Sequence, residues 1–117
     1  MSLKEIIVRF TLVSGLEMKE VSRFLPIIED CRLYFEERLH DGLGDADMRR
    51  AAHACAVYAF YKISMTANTD ALSSFRVGDV QMQIEPLGAY AERLWAEECE
   101  QITDIMDIGG FFRSVRV

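Results

Sequence analysis

The sequence predicts a mainly α protein, a four-helix core with a short β-hairpin-like loop and a C-terminal β-strand. Three observations predict it. Apolar residues recur at i, i+3, i+4 spacing in four separate segments. Two short stretches, 75–84 and 111–117, alternate polar and apolar residues instead. Finally, 50% of the 117 residues are apolar and 27% are charged, which suffices for one buried core but not for two. Residues 1–117 therefore read as one domain.

The first helix is expected over about Leu3 to Val13. Ser2 and Glu5 have the spacing of a capping box, in which each side chain satisfies a backbone N–H. Leu3, Ile6, Ile7, Phe10 and Val13 share a face, and Ser14-Gly15 supplies the left-handed stop. A second helix is expected from Lys19 or Ser22 to Leu39. Its buried stripe is Val21, Phe24, Leu25, Ile28, Cys31, Phe35 and Leu39. Pro26 is tolerated only in a first turn, which also permits a start nearer Leu25. The loop His40-Asp41-Gly42-Leu43-Gly44 follows.

Asp45 or Asp47 caps a third helix running to about Thr66. It is rich in alanine, at positions 46, 51, 52, 54, 56 and 59, and apolar on most sides. Such a helix is central and is covered by several neighbours. Phe75-Arg76-Val77 and Val80-Gln81-Met82-Gln83-Ile84 flank Gly78-Asp79, a dipeptide suited to a hairpin turn. Arms this short need support from another segment or another chain. Pro86 opens the fourth helix, Leu87 to Asp107, with Leu87, Ala91, Leu94, Trp95, Ile102 and Ile105 facing inward. Gly109-Gly110 ends it, and the alternating tail 111–117 is the expected last strand.

Charge narrows the function. Thirteen basic residues against nineteen acidic ones give a formal net charge of −6, which disfavours a general nucleic-acid binder. From Asp79 to Asp107 there are eight acidic residues against Arg93 alone. That segment carries −7 and leaves +1 for the rest of the chain. Glu92, Glu97, Glu98, Glu100 and Asp104 thus form an expected acidic surface. It is either a solvated outer face, or a surface that must not hold DNA or that meets a basic neighbour, for which Arg49-Arg50 is a candidate. No run of apolar residues is long enough for a membrane span, and the N-terminus lacks a signal-peptide pattern. Cys31, Cys55 and Cys99 are an odd, widely spaced set, read as reduced thiols inside a cell.

Motifs for chemistry are weak. Glu37-Arg38-Leu39-His40 matches the E-x-x-H of di-iron bundles, but such sites need a second copy and two further carboxylates. A histidine at a solvated helix end is the plainer reading. The cysteines lie on apolar faces, where a thiol stays protonated and packs as a small hydrophobe. No nucleophile elbow, phosphate-binding glycine loop or H-E-x-x-H is present, so no cofactor and no enzymatic activity are expected. The two alternating segments look instead like devices for association. Phe75, Arg76, Val77, Gly78, Asp79 and Val80, with Phe111, Phe112, Arg113 and Val115, are the expected subunit or partner interface.

Phe24-Leu25-Pro26-Ile27-Ile28-Glu29-Asp30-Cys31, continuing to Glu36-Glu37-Arg38-Leu39, resembles the second helix of the head–tail connector (adaptor) proteins of tailed bacteriophages and prophages. The alanine-rich third helix, Ser74-Phe75-Arg76-Val77-Gly78-Asp79-Val80, and the tail Phe111-Phe112-Arg113-Ser114-Val115 are similar to theirs as well. Gln81-Met82-Gln83 departs from the serine or threonine often found there. The resemblance implies a non-enzymatic virion protein, assembled in the bacterial cytoplasm into a homo-oligomeric ring beneath the portal. DNA passes through such a ring without tight binding, a tail or stopper protein docks beyond it, and no membrane is involved. The rival readings are a small helical protein- or DNA-binding regulatory module and a ferritin-like bundle enzyme.

Overall fold

A computed structural model describes residues 1–66 and 87–108. Helix α1 spans Leu3–Ser14. The Ser2 hydroxyl accepts from the Glu5 amide at 3.4 Å, and Gly15 ends the helix at φ 75°, with its N–H bonded to the Thr11 carbonyl. Both ends thus follow from side-chain capping and from a residue without a Cβ.

The expected second helix is divided. One turn, α2, covers Met18–Val21 and a 3₁₀ turn covers Ser22–Phe24; α3 then spans Leu25–Glu36. Pro26 explains the break. It has no N–H to bond back to Ser22, so the regular ladder restarts with the proline in the first turn. Phe24, at φ −111° and ψ 4°, is the joint. Ile28, Cys31 and Phe35 are buried as expected, whereas Leu25 is exposed and Leu39 half-buried. The helix stops at Glu36, three residues before the expected Leu39, because Arg38 bonds to Phe35 in an i→i+3 turn.

Helix α4, Asp45–Thr66, is the centre of the fold and packs against α1, α3 and the last described helix, α5 (Leu87–Gln101). From Ala51 to Phe60 every residue is buried except the half-buried His53. Alanines at 51, 52, 54, 56 and 59 keep the helix thin, so three neighbours approach it closely. Helix α5 spans Leu87–Gln101 and buries Leu87, Ala91, Trp95 and Cys99.

The fourth helix was expected to reach Asp107, and it ends six residues earlier. Residues 102–106 form turns in which Ile105 bonds to Ile102 and Ile102 to Cys99. Ile102, Ile105 and Met106 are buried all the same, because i, i+3, i+4 spacing suits a tightening turn as well as a helix. This segment lies antiparallel to the end of α3 through a Leu39–Met106 bridge. His40 N–H donates to the Ile105 carbonyl at 2.9 Å, and Asp107 N–H donates to Arg38 at 3.1 Å.

The described residues are thus mainly helical, with four long helices and no strand. No described helix is long and apolar enough to cross a membrane. The expected hairpin at 75–84 and strand at 111–117 lie outside the described residues.

Candidate functional site

The expected interface residues Phe75, Arg76, Val77, Gly78, Asp79, Val80, Phe111, Phe112, Arg113 and Val115 also lie outside the described residues. The expected acidic surface is described and is not uniform. Glu92 and Glu100 are exposed on α5. Glu97 pairs with Arg93 one turn away at 3.2 Å. Asp104 is taken up by Arg50, whose guanidinium reaches both carboxylate oxygens at 3.0 and 3.1 Å. Arg50 also holds Asp47 at 3.0 Å and donates to the Gln101 carbonyl. The basic neighbour of the acidic segment is therefore within the same chain.

This clasp ties the start of α4 to the turn after α5. Hydrogen bonding from Arg50 holds the Asp104 carboxyl below the usual carboxylate range, and Asp104 in return holds the Arg50 guanidinium above its own. The same turn is gripped from the other side by His40, whose Nδ1 lies 3.3 Å from the Asp104 carbonyl. Glu37 is exposed beside Arg38 at 3.5 Å. Neither member of the E-x-x-H pair therefore faces the bundle interior. No group of three His, Cys, Asp or Glu side chains able to hold a metal occurs among the described residues.

Replacing Arg50 by alanine is expected to speed hydrogen exchange at the His40 and Asp107 amides near neutral pH, with the helix-core amides unchanged. Asp104 has a depressed folded pKa. Its contribution is therefore present above the unfolded carboxylate pKa, about 3.9, and is lost as pH falls through the folded value. Wild type and variant are expected to converge in acid. Equal protection of the two amides near neutral pH would show that the clasp does not hold the bridge.

Behind the clasp lies a groove between α1, α4 and α5. One part, about 370 Å³, is lined by Arg9, Ala46, Arg49, Arg50, His53, Glu98, Gln101 and Ile102. A second part, about 240 Å³, is lined by Leu12, Val13, Val57, Tyr90 and Leu94 with Glu97. His53, Glu98 and Gln101 line both, so the two parts are continuous. One end therefore presents three arginines against Glu98, and the other is mainly apolar. Burial pushes the Glu98 carboxyl up, against the pull of His53 and Arg50 and with the push of Glu97. Arg9 is engaged by Glu5 at 3.3 Å. Arg49 is exposed and has no ion pair among the described residues.

The sequence shows Arg49-Arg50 but not the groove, whose walls come from positions near 9, 50, 90 and 100. The one local signal is the register Arg49, His53, Val57 on α4. Two polar side chains one turn apart interrupt a helix that is otherwise apolar on nearly every side.

The three thiols are buried. Burial pushes Cys31 up to about 12 and Cys99 up to about 11, and it raises Cys55 as well. All three are packing groups, as their apolar faces imply.

The fold is a helical bundle with a groove that is lined by three arginines and Glu98 at one end and is mainly apolar at the other. Comparison with family models, curated proteins and solved structures finds no match to this chain.

Proposed function

We propose that the chain is a structural subunit of a phage or prophage head–tail connector, a ring beneath the portal through which DNA passes. The observation that carries this reading is the order of the elements. The Phe24–Leu39 run that resembles the family falls on α3 and the turn beyond it, and the alanine-rich segment is the central α4. The Ser74–Val80 and Phe111–Val115 motifs fall between α4 and α5 and after the clasped turn.

Physical chemistry supports the same reading. The exposed carboxylates Glu92 and Glu100, on a chain of net charge −6, suit a surface past which phosphates slide without sticking. The clasp fixes the turn at 102–106, which precedes the 109–117 segment in sequence. Phe75 to Val80 and Phe111 to Val115 are the subunit and partner contacts in this reading, with a portal protein on one side and a tail or stopper protein on the other.

Purified protein is expected to form rings, alone or on a portal protein, visible by negative-stain microscopy. Only monomers, with both proteins present at high concentration, would overturn the proposal. Genes for a portal and a major capsid protein beside this one are the second expected observation.

A further inference from the structure

Two surfaces of this molecule complement one another and lie on different elements, since no residue of α3 lines the groove. One is the groove between α1, α4 and α5. The other lies on the outer face of α3. Among the large exposed apolar residues, Leu33 is 48% exposed and sits three residues after Asp30, hence on the same helix face. Asp30 is exposed and has no ion pair among the described residues, because Arg32 engages Glu29 and Glu36 instead. Two other exposed apolar side chains lack such a free carboxylate. Leu25 neighbours Glu29, held by Arg32, and Met18 neighbours Glu17, held by Lys19 at 3.3 Å.

The groove offers the counterparts. Arg49 is an exposed cation without an ion pair among the described residues, at the polar end of the groove, where Arg9 is held by Glu5 and Arg50 by Asp47 and Asp104. The apolar end is a trough of about 240 Å³ beside Leu12, which is 79% exposed. Along α3, Asp30 and Leu33 are separated by about 4.5 Å of axial rise, and Arg49 and Val57 on α4 by about 12 Å. A leucine in the trough thus leaves its neighbouring carboxylate within side-chain reach of Arg49.

The two faces point different ways. The inner face of α3, with Phe35, packs on Tyr58 of α4 at 5.7 Å between ring centroids, while the half-buried Tyr34 stacks on the same ring at 6.1 Å. The groove uses the Arg49, His53, Val57 register of α4 instead. Leu33 is exposed and is not among the residues that line its own groove.

We propose that a second copy of this chain is the occupant of the groove, inserting Leu33 into the trough and setting Asp30 against Arg49. The contact is heterologous, one face against a different face, so a pair of copies keeps one free groove and one free stripe between them. Leu33 is the anchor, since an exposed ion pair contributes little, and the Asp30–Arg49 pair sets orientation. This rests on the reading of the chain as an assembly subunit and adds a contact between its copies to those assigned there to 75–80 and 111–115.

Sedimentation velocity tests it. Wild type is expected to self-associate with rising concentration. Leu33→Lys and Arg49→Glu, both at exposed positions, are each expected to weaken association at least tenfold and to sediment alone as monomers. Mixed, they are expected to give a 1:1 dimer that grows no further, because one intact stripe meets one intact groove. Asp30→Arg combined with Arg49→Glu in one chain is expected to restore association. Leu33→Ser serves as a second anchor variant, and thermal melting checks that each variant is folded. A wild type that stays monomeric to its solubility limit overturns the proposal, as does a mixture without dimer or variants that associate like wild type. Rings that form on a portal with Leu33→Lys would also overturn it while leaving the connector reading intact. Head-to-tail association in solution without rings on any portal would do the reverse.

Discussion

Replacing Phe35 by alanine is expected to destabilise the protein by about 3–5 kcal/mol, the range for truncating a fully buried phenylalanine. The ring is 0% exposed near the end of α3, with centroids 5.7 Å from Tyr58 on α4 and 6.1 Å from Trp95 on α5. It therefore joins three helices at one point. Truncation removes the transfer free energy of the ring and leaves a cavity whose walls belong to separate elements, so collapse around it is limited. Tilted ring pairs of this kind add about 0.5–1.5 kcal/mol beyond the area they bury. Since a domain of this size holds about 5–15 kcal/mol in total, the variant keeps only a part of it. Trp95, the only tryptophan and 3% exposed, lies against the altered site, so its fluorescence in a urea titration reports the loss directly. A midpoint within error of wild type would show that α3 does not depend on this contact.

The second large effect is of opposite sign in volume. Ala56→Leu adds three carbons to a position on α4 that is 0% exposed. Overpacking of a tight interior typically costs about 1–3 kcal/mol, because neighbours leave their rotamer wells or the helices move apart. Here α4 meets neighbours on most sides, so displacement toward one helix runs into another. The intrinsic helix propensity of leucine is close to that of alanine, and the cost is therefore in packing. Chemical denaturation with helical circular dichroism measures it. Retention of helix content with a lower midpoint is the expected pattern. A variant as stable as wild type would mean that the small residues of α4 are not needed for close approach.

Much of the helical fold is legible from local chemistry. The ends of α1 follow from Ser2 and Gly15, and the position of α3 from Pro26, because each acts through its own backbone neighbours. The end of α5 is not legible. Ile102, Ile105 and Met106 keep helical spacing after the helix has stopped, and periodicity reports burial without distinguishing a helix from a run of turns. The groove is not legible either. Arg9, Arg49, His53 and Glu98 are brought together by packing of helices far apart in sequence, and no spacing rule reaches from 9 to 98. The Arg50–Asp104 clasp lies between these cases. The charge asymmetry that suggests it is visible in the sequence, but its partners are 54 residues apart.

The burial of α4 on nearly every side bears on how the chain emerges from the ribosome. When α1 to α4 have been translated, the faces of α4 that will receive Ala91 and Trp95 are still bare, and the residues that close the clasp do not yet exist. Domains complete their folding as units, and bare apolar surface invites aggregation in the meantime. A nascent chain arrested before residue 87 is therefore expected to stay protease-sensitive, and protection arises in one late step after α5 clears the exit tunnel.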